Sequence, residues 1–143
     1  MIIKQISVFV ENKSGRLAQI TKVLADNHID IRALSLADTT KFGILRFIAN
    51  EPERAEQALR DAGLTVSITD VIAVSVEDQP GGLSYPLSLL DEKGISVEYI
   101  YAFVGAPHDK AFVILRVEDN QLAAEVLKEH GIPMLCMKDI THI

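Results

Sequence analysis

Two short segments carry residue types from which a small-molecule site could be built: Asn12-Lys13-Ser14-Gly15-Arg16-Leu17 and Asp78-Gln79-Pro80-Gly81-Gly82-Leu83. Each places a hydrogen-bond acceptor, Asn12 or Asp78, ahead of a glycine that lets the backbone approach a guest closely. Each is followed by a run of helical periodicity, and N–H groups at a helix start stand free and carry partial positive charge. The combination suits an amino-acid zwitterion, its carboxylate on the N–H groups and its ammonium on the Asn or Asp oxygen. The same residues would also make a plain turn, opened by Asn12 or Asp78 and permitted by Gly15 or Gly81. Lys13 and Arg16 belong to the first segment, whereas the second has no basic residue. One functional and one degenerate site is therefore expected.

Nothing else in the chain assembles a reaction centre. There is no serine nucleophile turn, no phosphate-cradling G-x-x-x-x-G-K loop and no dinucleotide fingerprint. His28, His108, His130 and His142 lack the spacing of a helical metal pair, and Cys136 has no second cysteine. Neither a metal nor another cofactor is expected. Tyr99, Tyr101 and Phe103 alternate along one strand face and read as packing residues. A net charge of −6 over 143 residues argues against nucleic acid and against an anionic membrane surface. No apolar run approaches the roughly 20 residues of a membrane helix, and the N-terminus alternates like a strand. The chain reads as soluble and cytoplasmic. A hydrophobic content of 48% and a mean hydropathy of +0.20 are enough for a packed core.

The elements that hold these turns come as a repeat. VFVENKSGRL (Val8 to Leu17) and VSVEDQPGGL (Val74 to Leu83) match at an offset of 66 residues. Leu24 then pairs with Leu90, Ile29 with Ile95 and Ile31 with Val97. Leu45-Arg46-Phe47 matches Leu115-Arg116-Val117 at an offset of 70, so the second copy has four extra residues around Gly105 to Asp109. Ile68-Thr69-Asp70-Val71 parallels Met137-Lys138-Asp139-Ile140. An ordered repeat of this kind means two equivalent structural units.

Within each copy, Ile6, Val8 and Val10, or Ile72, Val74 and Val76, share a strand face. Leu17, Ile20 and Leu24 fall at helical spacing, as do Leu83, Leu87 and Leu90. Asn27-His28 and Lys93-Gly94 end those helices. Strands are expected over 29–37 and 42–49, joined by a hairpin at 38–41, and over 95–104 and 111–118. Second helices present Ala55, Ala58, Leu59 and Ala62, or Leu122, Ala123, Val126 and Leu127. Closing strands are expected over 65–69 and 134–138. Pro86 would cost about 3 kcal/mol inside a helix. The second copy's first helix should therefore start late, near Ser84, with the proline in its first turn.

The order β-α-β-β-α-β, read twice, gives an α+β chain of two ferredoxin-like units in tandem, residues 1–70 and 71–143. Each is an antiparallel sheet with its helices on one face. Units of this size are marginal alone, and the copies meet at Asp70 without a linker. They are expected to pack tightly and to share an extended eight-stranded sheet. Arg46 and Arg116 fall on the strand face turned from the helices, beside Ile44, Ile48 and Ile114. That partly apolar face is suited to a second chain, so a homodimer is expected.

This element order, with N-x-x-G-x-L at the first turn, resembles the ACT domain, a regulatory module of amino-acid metabolic enzymes. The resemblance covers nearly the whole chain, in two copies. It implies domains paired side by side, with an amino acid bound where the first turn of one faces the second-strand region of the other. By position it implicates Asn12, Lys13, Ser14, Gly15, Arg16 and Leu17, with Asp78, Gln79, Pro80, Gly81, Gly82 and Leu83 in the second copy. Members that sense serine place an Asn at the start of the second strand and a His two residues before the turn Asn. Here those positions hold Asp30 and Ser96, and Val10 and Val76, which argues against serine and keeps Asp30 and Ser96 as candidate contacts. Asn12, Asp30, Asp78 and Ser96 favour a polar or charged ligand. The implied function is a sensor that binds an amino acid, catalyses nothing and acts on a separate partner enzyme. The rivals are a ligand-independent assembly scaffold and a small ferredoxin-like enzyme working through Asp30, Asp78 or His108.

Overall fold

The computed structural model describes residues 2–11, 13–38 and 41–141. Asn12, the hairpin residues Thr39 and Thr40, and His142 lie outside the described residues. The elements are β1 (Ile3–Glu11), α1 (Arg16–Asp26), β2 (Ile31–Asp38), β3 (Phe42–Ala49), α2 (Pro52–Asp61), β4 (Val66–Glu77), α3 (Ser84–Glu92), β5 (Val97–Ala102), β6 (Lys110–Val117), α4 (Asn120–Glu129) and α5 (Met137–Thr141). They fall into two compact units, Lys4–Thr69 and Asp70–Ile143 with Met1–Ile3. Among the described residues no helix is long and apolar enough to cross a membrane.

In the first unit the strand order is β2-β3-β1-β4. β1 pairs with β3 in antiparallel register from Ile6↔Phe47 to Glu11↔Phe42. Strict alternation sends Ile6, Val8 and Val10 to one face together with Leu45 and Phe47. Ile20 and Leu24 of α1, with Ala55 and Leu59 of α2, close over that face and complete the core. The apolar stripe of α1 is shorter than its spacing suggests. Leu17 is 41% exposed because it stands at the helix start, beyond the edge of the core.

The second unit repeats the arrangement with strand order β4-β6-β5. Ile72, Val74 and Val76 of β4 join Leu115 and Val117, covered by Leu89 and Leu90 of α3 and by Ala123, Val126 and Leu127 of α4. α3 does begin at Ser84, with buried Pro86 in its first turn, where no N–H is missed. Two expectations need correction. The closing strand expected over 134–138 is only a bridge between Met134 and Val74, after which the chain forms α5. Pro133 has no N–H to extend a ladder. Asp139, third residue of α5, then accepts the Cys136 N–H at 2.9 Å and closes a helical turn. Moreover, β4 runs without a break through Asp70, so the last strand of one copy and the first of the next are a single element. The eight expected strands are thus six among the described residues.

Candidate functional site

The first turn is built by the end of β1 and the start of α1. Gly15 precedes the helix with φ 85°, and its carbonyl accepts the Gln19 N–H at 2.9 Å. An added Cβ there would meet nothing within 4 Å. The left-handed backbone alone favours glycine here, and the space beside it is open to a guest. Lys13 N–H folds back onto the Glu11 carbonyl at 2.7 Å, and Arg16 N–H reaches the Lys13 carbonyl at 3.4 Å. The N–H groups of Leu17 and Ala18 have no backbone acceptor among the described residues, as the start of a helix requires.

Charge collects on this turn. The Glu11 carboxylate lies 3.0 Å from Lys13 Nζ and 3.6 Å from Arg16 Nη2. The hydrogen bond and charge of Lys13, then the charge of Arg16, hold the Glu11 carboxyl below its ordinary value of 4.5. Arg16 also donates to Gln19 Oε1 at 3.0 Å.

Two recesses flank this cluster. One, of about 320 Å³, is bounded by Phe9, Glu11, Arg16, Ile20, Phe42 and the Gly63-Leu64-Thr65 segment. The other, of about 410 Å³, is bounded by Glu11, Lys13, Gly15, Arg16, Leu17 and Leu36. Arg16 lines both. Of the residues expected here, Lys13, Gly15, Arg16 and Leu17 border a recess, while Ser14 is exposed and borders neither. Sequence reasoning missed Glu11, Phe9, Phe42, Leu36 and Leu64. The signal for Phe9 was its position between Val8 and Val10, which sends a large aromatic away from the core.

The second turn is built differently. Gly81 has φ 84°, matching Gly15, but Asp78 N–H is bonded to the Asp109 carbonyl at 3.0 Å and Gly82 N–H to the Gln79 carbonyl at 2.9 Å. A side chain at Gly82 would collide with the Glu77 carbonyl. Glu77, the counterpart of Glu11, pairs with Lys110. Asp78 borders a recess formed otherwise by the 102–112 loop, and Gln79, Pro80, Gly81, Gly82 and Leu83 do not.

Within its own repeat, neither second-strand candidate approaches its turn. Register places Ile31 opposite Ala49 and Phe42 opposite Glu11, so Asp30 sits at the far end of the sheet from Gly15. There its N–H donates to Asn50 Oδ1 at 3.0 Å and its carboxylate meets Arg32 at 2.8 Å. Ser96 likewise lies at the far end from Asp78, in a recess with Lys93, Asp119 and Asn120.

A twice-used β-α-β-β-α architecture with a glycine-opened first turn defines a tandem ferredoxin-like fold. The chain matches the family model described as an ACT domain pair over residues 1–143, and it belongs to that family. A solved protein of Bacteroides thetaiotaomicron is 40% identical over 100% of this chain and 98% of its own, with a TM-score of 0.93. The regulatory subunit of aspartate kinase from Thermus thermophilus, in ligand-free form, shares the fold at 16% identity and a TM-score of 0.67, over 90% of this chain and 92% of its own. That of Thermus flavus does so at 16% and 0.61, over 90% and 94%. No curated protein matches the sequence.

Proposed function

We propose that this ACT domain pair is a non-catalytic sensor that binds a free amino acid at the Gly15 turn and passes its occupancy to a separate enzyme. The observation that carries the reading is the Glu11–Arg16 pair at the mouth of two recesses beside the start of α1. Arg16 and the α1 N–H groups offer a carboxylate its partners, and Glu11 offers an ammonium one. The reading treats residues 1–70 and 71–143 as the two ACT-like domains. Family membership supports the regulatory half, and aspartate kinase regulatory subunits share the fold. Coupling to an enzyme requires that ligand and partner prefer the same conformational state. An acidic chain with one cysteine suits the reducing cytoplasm. A homodimer is the further element of the reading. Ile48 and Ile114 of the face expected to carry it are 0% exposed, and the exposed apolar residues of β2 are Leu34 and Leu36, at 45% and 48%, on the face of Leu45 and Phe47.

A thermal-shift screen of the full chain against the common amino acids tests this. At a hundredfold excess over Kd, a true ligand adds about 2.7 kcal/mol of stability. Stabilisation by at least one amino acid is the expected outcome; none at millimolar concentration would leave the scaffold reading in its place.

A further inference from the structure

We infer that the first repeat selects an amino acid with a bulky apolar side chain, held in the recess bounded by Phe9, Phe42, Ile20 and Leu64. The inference rests on the amino-acid reading above and adds the ligand's side-chain class, against the polar ligand that the sequence favoured.

Phe9 and Phe42 are 47% and 43% exposed. Two large aromatics left half in water beside one another lose the gain of burial, which a guest can recover. Their rings stand 5.9 Å apart at 60°, a tilted pair. The recess they flank holds about 320 Å³, at the lower end of the roughly 300–1,000 Å³ of small-molecule sites. Its charged lining residues are Glu11 and Arg16. The Thr65 carbonyl is taken by the Phe9 N–H at 3.1 Å. A zwitterion's two charges would thus meet Arg16 and Glu11, and its side chain would meet the Phe9 and Phe42 rings. A polar side chain laid over those rings would forgo the gain of apolar burial. Asp30, one of the four residues that favoured a polar ligand, lies at the other end of the sheet within this repeat.

The second repeat shows that this lining is not a by-product of the fold. At the matching positions Phe9 becomes Ser75, Arg16 becomes Gly82 and Ile20 becomes Pro86. Phe112, the counterpart of Phe42, is buried in a T-shaped contact with Phe103 at 6.0 Å.

Calorimetric titration of the full chain with leucine, isoleucine and phenylalanine, against serine, aspartate and lysine, tests the inference. An apolar amino acid should bind at least tenfold more tightly than the polar set. Phe42→Ala and Phe9→Ala should each weaken that binding about tenfold, with a cooperative thermal transition showing that the variants fold. Preference for a polar or charged amino acid would overturn the side-chain class while leaving the sensor reading intact. Apolar binding indifferent to both substitutions would overturn the location. Binding of no amino acid would remove the sensor reading itself.

Discussion

His28 and Gly94 hold the same place in the two repeats and the same backbone, with φ 57° and 70°. Each follows a helix whose last turn is closed by a six-residue hydrogen bond, Ile29 N–H to Leu24 at 2.9 Å or Ile95 N–H to Leu90 at 2.9 Å. Gly94 enters this left-handed region without penalty, whereas His28 carries a Cβ that costs about 1–2 kcal/mol there. His28→Gly should therefore stabilise the protein by about 1 kcal/mol, less the added freedom of the unfolded chain, as read from urea denaturation. Asn27-His28 was legible as a helix end because a chain position matched to Gly94 must stop in the same way. Glu11 was less legible. As an acid beside the turn it is repeated at Glu77, but only geometry shows that Lys13 and Arg16 converge on it.

At the scale of elements, hydrophobic alternation located β1 and β3 and the first half of the repeat well, because their inward side chains reach 0–6% exposure without exception. The late start of α3 followed from the chemistry of Pro86 alone. The closing strand failed for an instructive reason: its likeness to Ile68-Thr69-Asp70-Val71 suggested the same conformation, yet Asp139 finds local partners in Cys136. Asp139 accepts both the Cys136 N–H, at 2.9 Å, and its thiol, at 3.2 Å. The backbone bond first, then the thiol, holds the Asp139 carboxyl below its ordinary 3.8. A carboxylate so lowered contributes stability above its unfolded pKa and loses it as pH falls through the folded value. Asp139→Ala should thus lower the unfolding midpoint at neutral pH, and the gap from the parent should close on acidification below pH 3.8. A gap that persists in strong acid would mean that packing, not the charge, holds α5.

For the whole molecule, equivalence of fold does not mean equivalence of function. The first turn carries Lys13 and Arg16 where the second has Gln79 and Gly82, and the Asp78 N–H is already engaged by Asp109. Saturating calorimetry should count one amino acid per chain, and Arg16→Gln should reduce its affinity at least tenfold, the scale of one charge-assisted contact. Two sites of equal strength would show that the second turn rearranges on binding. The unbroken passage of β4 through Asp70 also constrains how such a gene can change. Inserting or deleting a single codon near that join would turn over every later side chain of the strand, sending Ile72, Val74 and Val76 out of the core and Ser75 into it. The length of chain between the repeated halves is locked at that join.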